Sequence, residues 1–256
     1  MIIKEEVWKG IPLLHIVEDK FETTEIPTVI FFHGFTSAKE HNLHYAYNLA
    51  QKGMRVLLPD AHLHGTRAEN LDEVELALRF WEIVMTNIEE LNILYEMLLE
   101  TGIISTGKVG VGGTSMGGIT TLGALKIYDW ISAGTVMMGA PGFVELAKAQ
   151  IAQFEKKGFK LPINAVEKRD LYEHLSLFDL TKEPAALKGR PIYFWHGKND
   201  PVVPYQPTYR FYEAAKKMYA ENPQHFIFHT DQTASHSVTR SGMLAAVEWM
   251  ATHLMD

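Results

Sequence analysis

The sequence predicts an α/β protein: a mostly parallel central sheet with helices on both faces and a small helical insertion. Three observations carry this. Short apolar runs rich in Val, Ile and aromatic residues alternate with stretches of helical periodicity, the pattern that yields parallel strands joined by right-handed crossovers. The runs lack the polar alternation of a half-exposed strand, so both faces of the sheet need cover. The alternation breaks once, over residues 141–188, where two helical stretches follow one another with no convincing strand. A chain of 256 residues suits a single sheet of this kind, so residues 1–256 read as one domain, with 141–188 as a helical cap over the carboxyl ends of the strands.

Taken in order, residues 2–8 and 11–17 flank the turn Lys9-Gly10 and read as antiparallel edge strands. Pro27 leads into a strand over 28–32, which ends at His33-Gly34-Phe35-Thr36. Residues 38–52 place Leu43, Ala46, Tyr47 and Ala50 on one helical face, and Gly53 is the C-terminal stop before a strand over 54–58. After the loop from Pro59 to Gly65, helical spacing runs from Leu71 to Glu100, long enough for two helices rather than one, and closes at Gly102. A strand over 108–111 then meets Gly112, and residues 119–125 continue as a buried helix before a strand over 131–138. The insertion holds a helix over 143–157, stopped by Gly158, and a second over 170–178. A strand over 192–195, a helix over 205–219, a strand over 225–229 and a helix over 238–254 complete the chain.

Composition narrows the function. The formal net charge of −7, without a Lys/Arg cluster, leaves no footprint for a phosphate backbone, so no nucleic-acid partner is expected. The chain contains no Cys, which removes disulfides, zinc-thiolate sites and a cysteine nucleophile together. MIIKEEVWKG has acidic residues where a signal peptide needs an apolar core, and the expected location is cytoplasmic. The longest uncharged run, 109–125, is broken by six glycines and reads as strand, turn and helix rather than a membrane span.

The chemistry centres on Gly113-Thr114-Ser115-Met116-Gly117. With glycine at about 7% of residues, a bare G-x-S-x-G arises by chance in roughly one chain in ten of this length. Here it lies between a strand and a helix, as a nucleophile elbow must. In that sharp turn the residues two before and two after the serine are crowded, which Gly113 and Gly117 relieve. A serine hydroxyl is a poor nucleophile unless a base takes its proton and a third group orients the base. Asp200, in the loop His196-Gly197-Lys198-Asn199-Asp200-Pro201, is the candidate acid, with Asp231 and Asp179 as alternatives. His236, between the last strand and last helix, is the candidate base. The developing oxyanion needs two preorganised donors, for which the N–H groups of Phe35 and Met116 are placed. The pair His62 and His64 has no third ligand at recognisable spacing and reads as a structural loop near the site, with no metal.

The set His33-Gly34-Phe35, Pro59-Asp60 with His64-Gly65, Gly113 to Gly117, His196-Gly197 with Asp200-Pro201-Val202-Val203-Pro204, and His236 resembles the α/β-hydrolase fold over nearly the whole chain. Within that fold the chain is similar to small bacterial carboxylesterases of the YjfP type, in the branch that includes dienelactone hydrolases and prolyl oligopeptidase catalytic domains. The resemblance implies a Ser115, Asp200, His236 triad, Phe35 and Met116 as oxyanion donors, no cofactor, and small-molecule substrates with short acyl esters preferred. Dienelactone hydrolases use a cysteine nucleophile, which this chain lacks, and oligopeptidases carry a large additional domain, so an esterase is expected over either. Thioesterase or peptidase action by the same triad, or a non-catalytic receptor on this fold, are the alternatives. The receptor has no need of nucleophile, acid and base in order.

Overall fold

The computed structural model describes residues 1–159 and 163–255. Eight strands form one sheet in the order β1-β2-β4-β3-β5-β6-β7-β8. Strands β1 (Ile2–Trp8) and β2 (Ile11–Val17) are antiparallel, and β2 is antiparallel to β4 (Arg55–Pro59). From β4 onward, through β3 (Ile26–Phe32), β5 (Ile104–Thr114), β6 (Ala133–Met137), β7 (Ile192–Gly197) and β8 (Phe226–Asp231), all pairs are parallel.

Both faces of the sheet are covered, as the uninterrupted apolar runs require. Along β3, Ile30 and Phe32 enter the core under α3 (Phe80–Thr101), α4 (Met116–Ile127), α5 (Phe143–Lys156) and α7 (Tyr205–Ala215). Val29 and Phe31 point the other way, into the core shared with α1 (Leu43–Gln51) and α8 (Arg240–Met255). This is the period-two alternation of a pleated strand with apolar side chains on both sides. Among the described residues, no helix is long and apolar enough to cross a membrane.

Boundaries differ from the expectations in places with identifiable causes. Pro27 sits inside β3, at a register shift between Ile26 and Thr28, where β5 begins early at Ile104 to pair with Ile26. The long helical stretch is two helices, as its length suggested: α2 (Glu73–Leu78), opened by a capping box of Asp72 and Glu75, gives way at Arg79 to α3. The helix expected from residue 38 is a 3₁₀ turn over Lys39–Asn42 before α1 proper, and the one after β7 turns 3₁₀ over Lys216–Tyr219. In the insertion, α6 (Ala165–Ser176) starts five residues earlier than residue 170, because Asn164 and Glu167 form a second capping box. Residues 160–162 of the expected cap lie outside the described residues.

Candidate active site

Ser115, Asp200, His236, Phe35 and Met116 each sit just beyond the carboxyl end of a strand, the usual position of sites in open α/β sheets, whereas Asp179 follows a helix of the insertion. Ser115 follows β5 directly, with φ 54° and ψ −113°. For a non-glycine residue that backbone costs about 1–3 kcal/mol and persists only if its surroundings enforce it. They do: the Ser115 N–H donates to the Met137 carbonyl at 2.7 Å, and the Ile119 N–H returns to the Ser115 carbonyl. The glycines are sterically obligatory. A Cβ on Gly113 would lie 2.4 Å from the carbonyl carbon of Gly117, and one on Gly117 would lie 2.2 Å from the Phe32 carbonyl oxygen. The crowding on Gly117 comes from β3, a neighbour the motif itself does not name.

Ser115, His236 and Asp200 meet although 121 and 36 residues separate the hydrogen-bonded pairs. Ser115 Oγ lies 2.8 Å from His236 Nε2, and His236 Nδ1 lies 2.7 Å from Asp200 Oδ2. The other carboxylate oxygen, Oδ1, accepts the N–H groups of Val202 and Val203 at 2.8 and 3.0 Å. Burial acts to raise the Asp200 pKa. Donation from His196, His236 and the two backbone N–H groups outweighs it and holds the carboxyl well below the usual carboxylate range. The fully ionised acceptor fixes the His236 proton on Nδ1 and leaves Nε2 free to receive one from Ser115.

The two alternative acids have other partners. Asp179 accepts the Val144 N–H at 3.0 Å and so caps the start of α5. Asp231 accepts the N–H groups of Thr233 and Ala234 at 3.0 and 2.9 Å and folds the loop that leads to His236. That loop is stitched to the Asp200 loop: Lys198 N–H donates to the Asp231 carbonyl and Asn199 N–H to the Ala234 carbonyl. Gly197 allows the approach, since a Cβ there would stand 2.3 Å from the Ser235 carbonyl oxygen. His196, which sequence reasoning quoted without a role, is buried beside Asp200, its Nε2 donating to the Val203 carbonyl at 2.9 Å and lying 3.3 Å from Asp200 Oδ2.

The N–H groups of Phe35 and Met116 donate to no protein acceptor among the described residues. Met116 opens α4, so its N–H also lies at the positive end of a helix dipole. Gly34 lies alongside: a Cβ there would be 3.6 Å from Ser115 Cβ and 3.5 Å from the Thr114 carbonyl oxygen, both ordinary contacts. Behind this loop, His33 Nδ1 donates to the Gly34 carbonyl at 2.8 Å while its Nε2 accepts the Ala61 N–H at 3.0 Å. His64 has both ring nitrogens engaged by backbone as well. Neither nitrogen of His64 is left for a metal.

A cavity of ≈ 290 Å³ opens beside Ser115, lined by Phe35, Phe80, Ile119, Leu146 and Phe154 among others, and among the described residues no charged side chain lines it. Of the apolar residues of the insertion, Leu146 and Phe154 line this cavity. Phe143 and Leu175 are fully buried in the core instead, where they fasten the insertion to the body.

The profile of the prolyl oligopeptidase family matches residues 85–254. YitV of Bacillus subtilis (strain 168), a protein named as an esterase, is 47% identical over 252 residues, covering 98% of this chain and 99% of its own. Esterase YjfP of Escherichia coli (strain K12) is 29% identical over 247 residues, 95% of this chain and 96% of its own. The crystal structure of TT1662 from Thermus thermophilus superposes over 100% of this chain and 98% of that one, with a TM-score of 0.78 at 17% identity.

Proposed function

Because the chain belongs to the prolyl oligopeptidase family and is an esterase of the α/β-hydrolase fold, we propose that it hydrolyses short, uncharged acyl esters through an acyl-enzyme formed on Ser115. The observation that carries this reading is the continuous hydrogen-bonded chain from Ser115 Oγ through His236 to Asp200 at the edge of an uncharged cavity.

In the proposed cycle Ser115 Oγ attacks the ester carbonyl carbon as His236 Nε2 takes the hydroxyl proton. The carbonyl oxygen becomes an oxyanion, held by the N–H groups of Phe35 and Met116. Collapse expels the alkoxide, which leaves with the proton from His236, and an acyl ester remains on Ser115. Water, deprotonated by His236, then attacks that ester; the second oxyanion collapses, Ser115 recovers its proton and the carboxylic acid departs. Asp200 orients the ring and stabilises the imidazolium throughout. Its buried carboxyl, held well below the usual carboxylate range by the donors around it, suits that role, since it stays ionised while the proton moves between Ser115 and the substrate.

The helical insertion serves in this reading as a cap, with Leu146 and Phe154 of α5 limiting acyl length. A cavity without charged lining would leave an ionised substrate group unpaired, so neutral esters are favoured. Amide hydrolysis has one observation of its own in support, the match to a family named for oligopeptidases. Initial rates on p-nitrophenyl acetate, butyrate, octanoate and palmitate, with a p-nitroanilide alongside, separate these readings. Ester turnover that falls with chain length and disappears in Ser115→Ala is expected. Wild-type turnover by a folded Ser115→Ala variant would sink the mechanism.

A further inference from the structure

The turn that carries Phe35 is conformationally expensive. Ser37 N–H closes it on the Gly34 carbonyl at 3.3 Å, and its third residue, Thr36, has φ 58°. That is the turn position where glycine is the rule, and a β-branched residue there is a genuine outlier. Thr36 is solvent-exposed, so packing does not hold it. Its backbone N–H instead donates to His64 Nε2 at 3.0 Å, from a loop 28 residues away.

His64 is built to accept that bond. Its Nδ1 donates to the His62 carbonyl at 2.8 Å, so the proton of the neutral ring sits on Nδ1 and the Nε2 lone pair faces Thr36. The ring is almost fully buried and stands edge-on to Phe35, with centroids 5.3 Å apart. Burial lowers its pKa, outweighing the hydrogen bond to the His62 carbonyl and the charge of Asp60, which act to raise it, and this keeps the lone pair available. The His33 ring stands beside it, with centroids 5.5 Å apart.

We propose that His64 is a positioning residue for acyl transfer, which holds the strained turn, and with it the Phe35 N–H, in oxyanion-binding geometry by accepting the Thr36 N–H. This rests on the assignment of Phe35 as an oxyanion donor. It also gives the His62-x-His64 motif a use other than metal binding. His64 touches no substrate in this role.

The test is His64→Phe, which keeps the ring volume and the contact with Phe35 but removes the acceptor, with p-nitrophenyl butyrate as substrate. Deleting an oxyanion donor outright costs about 10²–10³ in kcat; loosening one is expected to cost about 10- to 100-fold, with KM within about threefold of wild type. The decisive readout is rescue. Thr36→Gly, added to His64→Phe, permits the left-handed turn without a brace and is expected to recover most of the lost kcat. A general packing defect would not respond to that second change. A kcat within twofold of wild type in His64→Phe overturns the proposal, as does a double variant no faster than the single one. If His64→Phe does not fold, His64→Asn, polar and too short to reach Thr36, supports the same comparison with and without Thr36→Gly. Ser115→Ala is measured in parallel: activity there defeats the acyl-enzyme reading itself, whereas an inactive Ser115→Ala beside a fully active His64→Phe defeats only the brace.

Discussion

Asp200 meets His236 with a single oxygen, Oδ2 to Nδ1 at 2.7 Å, while its other oxygen is committed to the N–H groups of Val202 and Val203. The carboxylate therefore cannot rotate to serve the ring differently. Asp200→Asn keeps the shape and reverses one polarity. The backbone pair demands the amide oxygen at Oδ1, so the amide NH₂ faces Nδ1 and forces the proton of His236 onto Nε2, against Ser115. A fall in kcat of about 10⁴-fold with the fold retained is expected, measured by steady-state kinetics beside circular dichroism. A loss under tenfold would show that the tautomer is set elsewhere.

Two glycines near Ser115 are expected to respond oppositely to a methyl group. Gly113→Ala forces a Cβ to 2.4 Å from backbone and should destabilise the protein by about 3 kcal/mol or more, as severe overpacking does. Gly34→Ala meets only ordinary contacts, and its φ lies outside the left-handed region. Its thermal midpoint should stay within a few degrees of wild type. The new methyl lies beside Ser115, where the acyl carbonyl must enter, so kcat/KM should fall more than about tenfold, a loss of roughly 1.4 kcal/mol in transition-state binding. Paired melting curves and rates distinguish the two.

The cavity wall supplied by α5 sets acyl length if the substrate reading holds. Leu146→Ala or Phe154→Ala should raise the octanoate to butyrate ratio of kcat/KM by about tenfold, the scale on which pocket methylenes discriminate, without changing the rate on acetate more than a few-fold. An unchanged ratio would remove α5 from the acyl site.

Acid sensitivity is expected from the loops behind the nucleophile. Burial pushes the His33 pKa down to about 4, against 6.5 for an ordinary histidine. The unfolded chain therefore binds the proton first as pH falls. The stabilisation is present above pH 6.5 and is lost as pH falls to 4, an effect on the order of 3 kcal/mol for a fully buried ring. Urea unfolding at pH 7, 5.5 and 4.5 measures it, and His33→Gln should flatten the dependence over that window. A variant as acid-sensitive as wild type would assign the effect to other groups.

The hydrogen-bonded cluster of Ser115, His236 and Asp200 was legible because its members follow a recognisable chain order and each sits in a turn with its own local signature: Gly113 and Gly117 around Ser115, the Asn199-Asp200-Pro201 turn, and the loop after β8 that carries His236. The alternating apolar runs likewise gave the sheet and its two covered faces. Element ends were less legible, and two of them could have been found. The capping boxes Asp72/Glu75 and Asn164/Glu167 are local patterns that mark the starts of α2 and α6. The His33 and His64 contacts are different in kind. Each depends on two loops, 28 residues apart, whose meeting is decided by β3 and β4 lying side by side. The division of the insertion residues between cavity wall and core is likewise a tertiary outcome, since Phe143 and Leu146 are both apolar and only one helical turn apart.

Strand β8 lies at one margin of the sheet, bonded only to β7, and the His236 loop hangs from its far end. Peeling that one strand from β7 would carry His236 away from Ser115 while leaving β3, β5 and β6, which hold the elbow and the Phe35 loop, paired with one another.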